Sequence, residues 1–154
     1  MMESRKDIVE FSIVKVSTEQ FAIIEEAFQE EAAINLNTNI RFLSDRNSRL
    51  VVVICQFKFE QKGIPFLKVE VSNHFLIAPD SWKDFLRDEV TTVIPKGFMT
   101  HLGMITVGTA RGVLHTKTEG TRFNEFILPT INVMDIIKDD VLFTETVADQ
   151  RVNP

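Results

Sequence analysis

Ile34-Asn-Leu-Asn-Thr-Asn-Ile-Arg-Phe42 alternates apolar and polar side chains, and after the turn cluster Ser44-Asp-Arg-Asn-Ser48 the chain resumes as Leu50-Val-Val-Val-Ile-Cys-Gln-Phe-Lys-Phe-Glu60. A period of two marks a strand with one buried face. In the second segment Val51, Val53, Cys55, Phe57 and Phe59 share one side. Leu50, Val52 and Ile54 make the other side apolar too, until Gln56, Lys58 and Glu60 take over. A strand apolar on both faces asks for cover on both, from another copy or from a ligand.

Working outward, Gln61-Lys-Gly-Ile-Pro65 predicts a hairpin turn, and a fourth strand runs from Phe66 to about Ile77. Upstream, Phe11 to Ile24 reads as one long strand with a kink or bulge at the polar stretch Ser17 to Gln20. The acidic run from Glu25 to Ala33 is a helical turn or a solvated crossover, and residues 25–31 offer either a solvated face or a contact for a basic partner. Ser81 to Leu86 begins a short helix or linking segment.

Pro95 fits the first turn of a helix, and from Lys96 to about Thr118 the period becomes helical. Phe98, Leu102, Ile105 and Thr109 form one stripe; Met104, Val107, Arg111 and Leu114 form another. Asn132 is placed to cap a last helix over Val133 to Phe143, with Asp135 favourable to its dipole. Residues 1–8 and 144–154 read as loose tails. The expected fold is α+β: a four-stranded antiparallel sheet, a long helix and a short C-terminal helix in one domain spanning 1–154.

Gly97, Gly103, Gly108 and Gly112 all fall within the long helix, and each costs ~1 kcal/mol relative to Ala. A phosphate loop needs GxxxxGK[ST]; Gly103 and Gly108 have the spacing, but Thr109-Ala110 follow. A membrane span fails as well, because Phe98 to His115 holds two histidines, an arginine and three threonines. The small residues therefore call for a closely packed helix or sheet.

The net charge of −5 and pI near 5.2 argue against a nucleic-acid partner. Cys55, the single cysteine, sits in an apolar strand and reads as an inert core thiol; with the polar N-terminus it predicts a reducing, cytoplasmic setting. His101 and His115 stand ~21 Å apart along one helix, at ~1.5 Å per residue. With no HxxxH or CxxC spacing and no nucleophile elbow, neither a metal, a cofactor nor a catalytic set is predicted, and the chain reads as a non-enzyme. Thirteen phenylalanines beside no tyrosine reinforce the expectation of an apolar binding or oligomer surface.

Four short motifs resemble one family. Phe11-Ser-Ile-Val-Lys-Val-Ser-Thr is similar to the first strand of the SecB-like export chaperones, and Phe66-Leu-Lys-Val-Glu-Val to their fourth. Gly108-Thr-Ala-Arg-Gly resembles the helix segment that usually reads Tyr-Ala-Arg-Glu. Leu128-Pro129-Thr-Ile-Asn132-Val resembles the Leu-x-Pro-Val-Asn-Phe that opens the family's last helix. The matches are scattered over residues 11–143.

The resemblance implies a homotetramer, a dimer of dimers, in which sheets line up across one interface and long helices pack across the other. It implies an ATP-independent, cofactor-free chaperone that holds unfolded polypeptide clients in apolar grooves, for protein transport through SecA or for another receiver. Groove candidates are Phe42, Phe57, Phe59, Phe75, Trp82, Phe98 and Met99, each with core as its alternative reading. Gly103, Ile105, Gly108 and Gly112 are the candidate oligomer interface.

The family's SecA-docking face carries carboxylates late in the first strand; here Ser17 to Ile24 holds only Glu19. Gly112 stands where the family has an acid. Two other classes stay open: an adaptor or antitoxin-type chaperone with one dedicated partner, and an acyl-thioester enzyme of the hot-dog type.

Overall fold

Strands β2 (Asn35–Asp45) and β3 (Leu50–Gln61) pair antiparallel in unbroken register, from Asn35 opposite Glu60 to Asp45 opposite Leu50. The computed structural model describes residues 8–145. β3 turns into β4 (Ile64–Ile77) through Lys62-Gly63, both at positive φ. That two-residue geometry matches the right-handed twist of a hairpin and accounts for Gly63.

β1 (Phe11–Ile23) then pairs with the far side of β4, giving the order β1-β4-β3-β2. Its register slips between Ile13 and Lys15 and again between Thr18 and Gln20. The second slip falls in the polar stretch where the sequence predicts a bulge. Because β1 and β2 are opposite edges, residues 24–34 must cross from one edge to the other. A short 3₁₀ turn, Glu25–Ala27, begins that crossing.

α1 (Pro79–Lys83) leads to two elements that sequence reading misses: β5 (Thr91–Ile94), and its antiparallel partner β6 (Val141–Thr144) near the end of the described chain. Between them α2 runs over Lys96–Thr118, as its periodicity predicts. Pro95 precedes the first helical residue and accepts the Met99 N–H.

The last helix, α3, is Val133–Ile136 and does not extend to Phe143. Asn132 occupies its cap position, yet its amide donates to Asp135 instead of accepting a backbone N–H. Asp140 instead accepts the Lys96 N–H at 2.9 Å, tying this segment to the start of α2. The chain from Val141 therefore pairs as a strand, and Thr144 is not tail. Residues 1–7 and 146–154 of the expected tails lie outside the described residues.

One face of the sheet is the core face. Val51, Val53, Cys55 and Phe57 of β3 and Val71, Phe75 and Ile77 of β4 are fully buried there. Met99, Leu102, Val107, Ala110 and Leu114 of α2 close over them. The fold is thus α+β, a four-stranded antiparallel sheet followed by a long helix and a short one.

Candidate functional site

Nine of the thirteen phenylalanines fall into two aromatic groups. At one end Phe28, from the crossover, meets Phe66, Phe123 and Phe126 at centroid distances of 4.9, 5.5 and 5.9 Å. Phe59 joins through Phe126 at 5.6 Å. Arg122 lies 5.0 Å from the Phe28 ring and 5.1 Å from the Phe123 ring, and pairs with Glu25 and Glu30. Part of the acidic run is therefore a latch for the crossover rather than only a solvated face. At the other end Phe11 contacts Phe75 and Phe98, Phe98 contacts Phe85, and Phe85 contacts Trp82.

This arrangement corrects most of the groove expected from sequence. Phe57, Phe59, Phe75, Trp82 and Met99 are buried within the protomer and present no open surface. Strand alternation puts the three phenylalanines on the inward face, which in this fold is the core itself, and Trp82 of α1 and Met99 of α2 pack into the same core. Phe98 and Phe42 stay half-buried, Phe42 on the edge strand β2.

The α2 glycines divide in the same way. Gly103 is buried, and a Cβ there would come within 2.9 Å of Val133 Cγ1. Its close partner is α3 of the same chain, so Gly103 does not belong to an exposed interface. Among the described residues Gly108 and Gly112 have nothing within 4 Å of an added Cβ and face outward, with Ile105 half-buried beside them. Two grooves flank this pair. Toward β1 the walls include Thr18, Thr109 and Val113; on the other side they include Arg111, Phe126 and Ile127.

Arg111 fixes the second wall. Its Nε donates to the Leu128 carbonyl at 2.9 Å and its Nη2 to that of Pro129 at 2.8 Å. The helix motif and the Leu-Pro motif that carry the family resemblance are thus joined directly. Sequence reading placed both motifs but not their contact, because seventeen residues separate Arg111 from Leu128.

On β1, Ile13, Val14 and Val16 are exposed, Val14 at 52% and Val16 at 54%. Met104, Ile127 and Met134 are exposed around α2 and the connector that follows it. An apolar strip of this kind on an edge strand and a neighbouring helix face is ordinarily covered by a partner.

Beneath α2, Asn73 is fully buried. Its Nδ2 donates to Thr109 at 3.0 Å and Thr106 at 3.4 Å, both of whose hydroxyls donate onward to helix carbonyls. That commitment turns the Asn73 oxygen away, and it has no hydrogen-bond partner among the described residues.

On the outer sheet face Glu70 accepts from Gln56 at 2.7 Å and pairs with Arg41 at 3.5 Å, while Lys58 stands directly opposite Lys68. Burial pushes the Cys55 thiol up to about 12, which removes it as a nucleophile at ordinary pH. The backbone N–H of Val90, helped by Thr91 and Arg46, holds the Asp88 carboxyl below its usual range, at a turn that also receives Arg46.

Among the described residues no cluster of three metal-ligating side chains occurs, and no helix is long and apolar enough to cross a membrane. No protein-family model matches the chain, and no curated protein matches it.

Proposed function

We propose that this chain is a SecB-like, ATP-independent holdase chaperone that assembles as a homotetramer and binds unfolded polypeptides. The observation that carries the reading is the strip, exposed among the described residues, formed by Ile13, Val14 and Val16 on the edge of β1 together with the outward Gly108 and Gly112 of α2. Thr18 of β1 and both glycines line one groove between the two elements. The strip offers a free strand edge and a helix face without bulky side chains, the two surfaces through which copies would extend a sheet and pack helices.

Holding a client needs no chemistry. Whatever binds the unfolded state preferentially shifts folding by mass action. Each large apolar side chain buried contributes roughly 1.5–3 kcal/mol before ordering costs. Exposed Met104 and Met134 suit an adaptable surface.

The receiver in this reading is SecA or another protein, and the acidic face that would dock SecA is sparse. The late part of β1 carries Glu19 as its one carboxylate, and Glu19 already accepts from Ser72 at 2.6 Å. Lys58 and Lys68 add positive charge to the outer face. Binding of a fluorescently labelled, chemically unfolded protein, followed by anisotropy without nucleotide, tests the reading. Saturable binding of several unrelated unfolded proteins supports it. Binding to one partner alone would replace it with the dedicated-adaptor reading.

A further inference from the structure

We infer that the free edge of β2 takes up an extended client segment as an added strand, an inference that rests on the chaperone reading above. The Ile77 N–H donates to the Arg49 carbonyl at 3.0 Å, which sets the parity of the β3–β4 ladder. Odd-numbered residues of β3 bond β4, so even-numbered ones bond β2. The unbroken β2–β3 register then turns the N–H and C=O groups of Leu36, Thr38, Ile40, Phe42 and Ser44 outward. None of these backbone groups has a backbone partner beyond β3 among the described residues.

Edge strands are normally blunted by bulges, prolines, lysines or brevity. β1 is interrupted by two register slips, and the tetramer reading already assigns its edge to another copy. β2 has eleven residues, no proline, no register slip, and no formal charge from Asn35 to Ile40. Unpaired main-chain groups in a straight row specify a backbone as their complement, independent of its side chains. That tolerance is what a holder of many unfolded chains requires.

The flanking side chains narrow the class of segment. Leu36, Ile40 and Phe42 lie half-buried along the core side, and Asn35, Asn37 and Asn39 along the outer side. An added strand therefore lays alternate residues on an apolar ledge and on a row of neutral amides. The favoured occupant is an extended segment that alternates apolar and polar residues and carries little charge.

Residue-resolved amide exchange of the full chain, alone and with reduced, carboxymethylated lactalbumin, tests this. The Leu36, Thr38, Ile40 and Phe42 amides should slow about tenfold or more on binding, while those of Asn37 and Asn39, already in the ladder, stay unchanged. Thr38→Pro removes one outward N–H and leaves the β2–β3 bonds in place, and should weaken client binding about tenfold. If Thr38→Pro fails to fold, the wild-type exchange pattern decides alone. Client bound with unchanged β2 exchange would overturn strand addition and leave the chaperone reading standing. Absence of any client binding would overturn both. Protection of the same amides without client, rising with protein concentration, would assign the edge to a second copy and overturn the inference.

Discussion

Gly103 of α2 sits so close to Val133 of α3 that a Cβ added to the glycine would lie 2.9 Å from Val133 Cγ1. Real carbon atoms do not approach so closely, so the pair is a sequence-encoded fit between the long helix and the short one. Alanine at 103 would gain ~1 kcal/mol of helix propensity but must displace a stiff β-branched side chain, at a cost of ~1–3 kcal/mol. Gly103→Ala is therefore expected to destabilise the chain by about 1 kcal/mol, and to become stabilising by a similar amount in a Val133→Ala background. A double-mutant cycle by urea unfolding reads this directly. Equal effects in both backgrounds would mean that Val133 is not what requires the glycine.

Arg111 makes two charged hydrogen bonds to consecutive carbonyls, Leu128 and Pro129. Lysine has a single ammonium in place of the planar fork and cannot reproduce both. Arg111→Lys should cost ~1–2 kcal/mol in unfolding free energy. It should also speed amide exchange in residues 126–132 more than in β3. A uniform change across the chain would mean that Arg111 does not hold the connector.

Much of this fold was legible because β2, β3 and α2 each carry their own period. Leu36, Ile40 and Phe42 alternate with polar residues, and Pro95 marks where the helical period begins. β5 and β6 were not legible. Each has four residues, and each is stabilised by pairing with a segment about fifty positions away, beyond the reach of local pattern. The Val133 to Phe143 segment holds four β-branched residues and three aspartates, all weak helix formers, and the bond from Lys96 N–H to Asp140 and the pairing of Val141 with Ile94 end its helix early. The groove was the least legible feature. A phenylalanine on an alternating strand reads the same whether its face meets α2 or a client, and Phe57 and Phe75 meet the core.

Asn73 illustrates a polar group held at a cost. One buried oxygen lacks a partner, and the amide serves two threonine hydroxyls that already donate to the helix backbone. Replacing the side chain by an apolar one of similar volume removes the orphan and leaves no new one. Asn73→Leu should be neutral or stabilise by about 1 kcal/mol. A loss above about 3 kcal/mol in chemical denaturation, the size of a full desolvation penalty, would contradict this account of the node.

Cys55 gives a pH prediction. Its thiol is raised from 9.0 to about 12 by burial. Above pH 9 the unfolded chain loses this proton while the folded one keeps it, so the unfolded state binds fewer protons and stability falls as pH rises toward 12. Below 9 the residue contributes no slope. Iodoacetamide at pH 8 should leave the folded thiol unmodified and label it on unfolding in guanidinium. Rapid labelling of the folded protein would show that the β3 core face is open.

The central claim is that copies of this chain cover the β1 edge and the outward face of α2, and that the assembly holds unfolded polypeptides without nucleotide. Light scattering on the purified protein, paired with an aggregation assay on a chemically unfolded protein, tests it most directly. The account predicts a particle of four 17.6 kDa protomers that slows aggregation in the absence of ATP. It also predicts that Gly108→Leu lowers the mass without unfolding the protomer, since among the described residues nothing lies within 4 Å of a Cβ added at that glycine. A monomer that leaves aggregation unchanged would contradict it.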